Sequence, residues 1–206
     1  TETRRPAGLN PCELKVAARA GIADQGRAAD KWLNETVRWT WRVKLFLHLE
    51  LELMNALRER ADAARLATLV ADADVVVDCS DNFATRQAVN AACVEHGKPL
   101  VSGAAIGFDG QISVYDTRRP EQPCYACIFP PDVTFEEVQC STMGVFAPLV
   151  GIIGTMQAAE TLKLIAGVGS SLAGRLQMLD ARAMEWTEIR IARQPACPVC
   201  AGRRRV

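Results

Sequence analysis

The chain has 206 residues, 49% hydrophobic and 23% charged, which is enough apolar material for one globular domain and too much for intrinsic disorder. Lys plus Arg and Asp plus Glu both total 24, so no basic field is present to gather nucleic acid or an anionic membrane. Arg4 and Arg5 are not followed by the apolar run that a secretory signal needs, and the longest apolar stretch, residues 143–159, reads as too short and too broken by Gly144, Pro148, Gly151, Gly154 and Gln157 to span a membrane. Eight cysteines without a secretory signal point to a reducing compartment, where paired thiols mean metal or catalysis more often than disulfides. A soluble, cytoplasmic protein without nucleic-acid or membrane partners is expected.

Residues 1–44 hold Trp32, Trp39 and Trp41 and sustain neither a period of 2 nor one of 3.6, so they form an unassigned, atypical or truncated N-terminal segment. From Leu45 the pattern sharpens. Leu45, Leu47, Leu49, Leu51 and Leu53 alternate with mostly polar neighbours, which predicts a strand. Residues 61–71 predict a short helix with Leu66, Leu69 and Val70 on one side, and residues 74–79 a β-branched strand buried on both faces. Ser80, Asp81 and Asn82 supply N-cap chemistry for a helix over residues 83–96, closed by Gly97. Strands are expected from Pro99 and over residues 111–116, with an Asp109-Gly110 turn between them. A long apolar helix follows over 148–166, ended by Gly167, and late strands over 175–180 and 186–192. Helices alternating with strands imply an α/β sheet.

Two C-x-x-C pairs, Cys124/Cys127 and Cys197/Cys200, supply four thiolates, the number a tetrahedral structural zinc requires. Thiol redox is the competing reading, but such a pair normally opens a helix after a strand. Here the first precedes Pro130-Pro131 and the second nearly ends the sequence. A zinc ion there would staple the C-terminal tail onto a central loop.

Asp81 follows the strand at 74–79, on the side where α/β sheets bind ligands. A carboxylate there can hold Mg²⁺ against nucleotide phosphates, or merely cap its helix, and spacing leaves both readings open. Cys140 stands in a polar loop before the long apolar helix, a setting that suits a nucleophilic thiol or an unreactive one. Cys79 and Cys93 read as core thiols. Arg86 reads as a solvated helix arginine sooner than a phosphate ligand, and Arg203-Arg204-Arg205 as a solvated tail.

Residues 74–86, 99–105, 110–114 and 144–151, together with both cysteine pairs, resemble the ThiF/MoeB/HesA family, bacterial relatives of ubiquitin-activating enzymes. The resemblance runs from about Leu45 to Cys200. It implies a Rossmann-like α/β domain with a mixed sheet and a zinc-stapled C-terminal region, taking residues 45–206. It also implies adenylation of the C-terminal Gly-Gly of a ubiquitin-like sulfur carrier protein in thiamin or molybdopterin synthesis, and a homodimer. Asp81 matches the family position that serves Mg²⁺ and ATP, Asn82 the neighbouring nucleotide contact, and the four cysteines the structural zinc site. Cys140 matches the cysteine with which thiamin-branch members link covalently to their carrier.

The family's G-x-G-x-x-G phosphate loop has no counterpart upstream of Leu45, where Gly8, Gly21 and Gly26 are wrongly spaced. That departure keeps a second function in view, a non-catalytic zinc-stapled module that binds a carrier or a partner subunit. A thiol oxidoreductase is a third.

Overall fold

The computed structural model describes residues 57, 59–132 and 144–203. The strand expected over 45–53, Cys140, Arg204 and Arg205 lie outside the described residues, as does the whole segment 1–44.

Helix α1, Ala63–Asp72, begins where the Asp62 carboxylate accepts from the Arg65 amide at 2.8 Å, and it buries Leu66 and Val70. Strand β1, Val76–Asp78, follows directly. Helix α2, Phe83–Glu95, starts at an Asn82 cap whose side-chain oxygen accepts from the Thr85 amide at 2.8 Å. Just beyond it Gly97 turns the chain at φ +60°, a conformation that glycine adopts without strain. Strand β2, Pro99–Ile106, pairs parallel with β1, so β1, α2 and β2 form a β-α-β unit.

Strand β3, Asp109–Asp116, returns antiparallel to β2, with Ile106 opposite Asp109. The connecting turn is therefore Gly107-Phe108, with Gly107 at φ +53°, and the expected Asp109-Gly110 turn is instead the first step of the strand. Helix α3, Ala147–Ala166, has Pro148 in its first turn and ends at Gly167 in the left-handed region. Strands β4, Arg175–Asp180, and β5, Glu185–Arg190, complete a mixed sheet of order β1-β2-β3-β4-β5, antiparallel after β2.

Alternation along the strands divides the core between the two faces of the sheet. Val76, Leu100 and Tyr115 pack with Leu66 and Val70 of α1 and Val89 and Cys93 of α2. Val75, Val101, Ile112 and Val114 face the other way, against Met156 and Leu164 of α3. Three layers result, as the α/β reading expects, with β1 buried on both faces. By length and composition α3 is apolar enough to cross a membrane, contrary to the sequence expectation. Its Leu149 and Ile153 pack on Leu179, and its Gln157 and Glu160 are buried within the protein, while only 22% of its most apolar window is buried and Leu162 and Ile165 are exposed.

Candidate functional site

The β1–α2 junction is built on a buried charge network. Asp78 is fully buried at the end of β1. One carboxylate oxygen accepts from the Ser80 amide at 2.9 Å, and the other lies 3.6 Å from an Arg86 guanidinium nitrogen. Arg86 is itself 8% exposed, so the solvated reading is overturned. Its guanidinium donates to Ser102 Oγ at 3.2 Å, to the Gly103 carbonyl at 3.0 Å and to the Ser80 carbonyl. The reason is helical spacing: Arg86, Val89, Asn90 and Cys93 share the buried stripe of α2. Arg86 thereby ties the loop after β1 to the middle of β2.

Gln157 of α3 closes the same junction from the opposite face. Its amide nitrogen donates to the Asp78 carbonyl at 2.8 Å, and its oxygen lies 3.5 Å from the Cys79 sulfur. Cys79 is half-buried just past β1, not sealed within a strand as expected. Cys93 is fully buried, and burial foremost, then the Asp78 charge, pushes its thiol up, as suits a core residue.

Asp81 sits at the head of this junction, half-buried, and among the described residues no hydrogen bond or ion pair engages its carboxylate. It does not cap α2; Asn82 does. A carboxylate held at the carboxyl end of a parallel strand, with its oxygens uncommitted, fits a divalent cation that is also liganded by phosphates. Sequence reasoning missed Asp78, Arg86, Ser102 and Gln157 as a unit. The available signal was polar residues at 3.6-residue spacing on an otherwise apolar helix face.

The four paired cysteines do converge. Cys124, Cys127, Cys197 and Cys200 are all buried, with their sulfurs within 4.8 Å of one another. The Cys124–Cys127, Cys124–Cys197 and Cys127–Cys200 separations are 3.9, 3.7 and 3.5 Å. A tetrahedral thiolate site with metal–sulfur bonds of about 2.3 Å has edges of about 3.8 Å, so the cluster could hold a metal ion. Disulfides, with sulfurs about 2 Å apart, are ruled out at these distances.

A hydrogen bond from Cys124 foremost, supported by the Gln194 amide at 3.5 Å, pulls the Cys127 thiol down to about 4, and the same contact raises Cys124. A metal held by these four thiolates would displace that shared proton. Asn90 of α2 secures the first knuckle, donating to Cys124 Sγ at 3.7 Å and accepting from the Tyr125 amide at 2.9 Å. Tyr125 meets Tyr115 edge-on and Phe129 at 4.7 Å. Arg203 is not a solvated tail residue, because it donates to the Thr117 and Gln122 carbonyls.

Comparison with known proteins places these features. The ThiF family description matches residues 47–199, and a second description, Tex central region-like, matches residues 1–69. The chain is 44% identical over 149 residues to the sulfur carrier protein ThiS adenylyltransferase of Escherichia coli, covering 72% of this chain and 58% of that protein. It is 43% identical over 155 residues to the molybdopterin-synthase adenylyltransferase of the same organism, covering 74% of this chain and 59% of that one. It thus spans about three fifths of the length of these relatives. Among solved structures, the fold resembles Escherichia coli MccB with ATP, at TM-score 0.57 and 20% identity over 70% of this chain and 44% of that one, a likeness of fold alone. The matched segment contains the sheet, the β1–α2 junction and all but the last of the four gathered cysteines, and on that extent of match the chain belongs to the ThiF family.

Proposed function

We propose that the chain adenylates the C-terminal Gly-Gly of a ubiquitin-like sulfur carrier protein, with ATP as the donor and pyrophosphate as the leaving group. The observation that carries this reading is the uncommitted Asp81 carboxylate just past the end of β1, on a loop whose start Asp78, Arg86 and Gln157 tie to the sheet. Phosphoryl chemistry of this kind rests on positioning and charge neutralisation, so Asp81 has the role of an Mg²⁺ ligand and not of a base. Mg²⁺ supplies neutralisation of the phosphate charge when bound. Asn82 has its oxygen committed to the helix cap and its amide nitrogen left for the nucleotide. Zinc is the metal that suits four thiolates at these separations, in a structural role. Cys140 is assigned the covalent link to the carrier, and two copies of the chain are taken to form the working homodimer in the cytoplasm.

Relatives named for the sulfur carrier protein ThiS and for molybdopterin synthase match at nearly equal identity, so the carrier is assigned by class. One observation favours the second reading, a non-catalytic module that binds a carrier or a partner subunit: Gly8, Gly21 and Gly26 do not compose a G-x-G-x-x-G loop. ATP–pyrophosphate exchange in the presence of a Gly-Gly-ended carrier separates the two. The adenylating reading expects exchange that requires the carrier and falls at least tenfold in Asp81→Asn. Exchange that survives this substitution undiminished contradicts the role given to Asp81, and absence of exchange with a carrier that still binds selects the module.

A further inference from the structure

Arg175, Arg190, Arg193 and Arg203 line one surface cavity of about 870 Å³ in which, among the described residues, Glu121 is the only lining carboxylate. The fold gathers them from separate elements. Arg175 opens β4 and stands directly opposite Arg190, the last residue of β5. Like charges in that register repel. Arg175 has Glu188 at 3.2 Å, whereas Arg190 has no carboxylate within ion-pair distance among the described residues.

Arg193 and Arg203 come from the segment around the second cysteine pair. Arg193 donates to the carbonyls of Pro120 at 2.8 Å, Cys200 at 2.6 Å and Ala201 at 3.2 Å, and Arg203 to those of Thr117 and Gln122. Carbonyl oxygens orient a guanidinium without cancelling its charge. In both arginines the Nε–H is buried and meets no acceptor among the described residues. Those Nε–H groups are closed to solvent, so what Arg193 and Arg203 bring to the cavity wall is positive charge on guanidinium groups pinned in place by their carbonyl bonds.

We propose that this cavity binds a phosphate-type oxyanion of two or more negative charges, held by Arg175, Arg190, Arg193 and Arg203. Guanidinium forks match tetrahedral oxyanions in geometry and charge, and the cavity volume suits a ligand of nucleotide size or smaller. Convergence of the arginines on a concavity favours a small ligand over an acidic protein segment, which needs a basic strip. The site is separate from the one around Asp81. Strands β1, β2 and β4 run in one direction, so β4 starts at the sheet edge opposite the one where β1 ends. It also depends on the metal staple, because Arg193 is tied to the Cys200 carbonyl within the second knuckle.

Inorganic pyrophosphate titrated calorimetrically into the full, metal-loaded chain, without Mg²⁺, tests this site. The expected result is saturable binding that weakens with salt, falls about tenfold or more in Arg190→Gln, and is unchanged in Asp81→Asn and Arg182→Gln. Arg190 is exposed and makes none of the carbonyl ties, so its substitution leaves the walls standing; Arg182 lies over the Phe108 ring, outside the cavity. Absence of saturable binding, an equal loss in Arg182→Gln, or tighter binding of an acidic peptide than of pyrophosphate each overturns the proposal. A loss confined to Asp81→Asn also overturns it, by assigning the anion to the nucleotide end.

Discussion

Arg86 shows how a single residue's meaning depends on which face of a helix it occupies. Its place on one stripe with Val89, Asn90 and Cys93 was legible in the 3.6-residue spacing. Its burial was not, because the acceptors come from elsewhere: the Ser80 and Gly103 carbonyls, Ser102 and Asp78. Removing one partner of such a pair leaves a buried, uncompensated carboxylate. Arg86→Ala is accordingly expected to lose about 3–5 kcal/mol in urea unfolding, and Arg86→Lys a smaller part of it, since an ammonium keeps the charge but not the fork. A loss below about 1 kcal/mol in Arg86→Ala would show that the charge is not the anchor of the loop. Asp81 illustrates the opposite case. Sequence placed it correctly at the strand end, but only the structure divides the work, giving the cap to Asn82 and leaving Asp81 uncommitted.

At the scale of elements, the contact of α3 with β2 and β3 explains two glycines that look alike in sequence. Gly110, read as a turn residue, lies in β3 because α3 passes over it: a Cβ there would stand 2.7 Å from Leu149 Cδ1 and 2.9 Å from Ile153 Cδ1. The Asp-Gly signal was real chemistry with a different cause, close approach of a helix. Gly103 plays the same part under Gln157, whose amide carbon would be 2.5 Å from an added Cβ. Gln157 is buried and committed to the Asp78 carbonyl, so it yields only by giving up that bond. Gly103→Ala is expected to destabilise by about 1–3 kcal/mol. In the double variant with Gln157→Ala the combined loss should be smaller than the sum, because the clash is already gone. Additive losses in denaturant unfolding would place the strain of Gly103→Ala elsewhere.

Across the whole molecule, the cysteine site joins the loop after β3 to the C-terminal segment, which otherwise holds on through the carbonyl bonds of Arg193 and Arg203. Its ligands were legible because C-x-x-C spacing is a local rule. The support from Asn90, Gln194 and Arg193 was not, because it is assembled through space. Structural zinc binding is worth about 10–16 kcal/mol in small domains, so losing one ligand should release the metal. Purified protein is expected to carry about one zinc per chain. Cys197→Ser should lose it and speed amide exchange over residues 191–203, whereas full zinc retention would remove Cys197 from the site. The phosphate-binding half of a nucleotide site has no such local signature in this sequence. Adenylation therefore meets its most direct test in the product itself. Intact-mass spectrometry of a Gly-Gly-ended sulfur carrier, after incubation with the chain, Mg²⁺ and ATP, should show a carrier heavier by one adenylyl group, AMP less a water. A carrier that binds the chain yet stays unmodified would contradict the account.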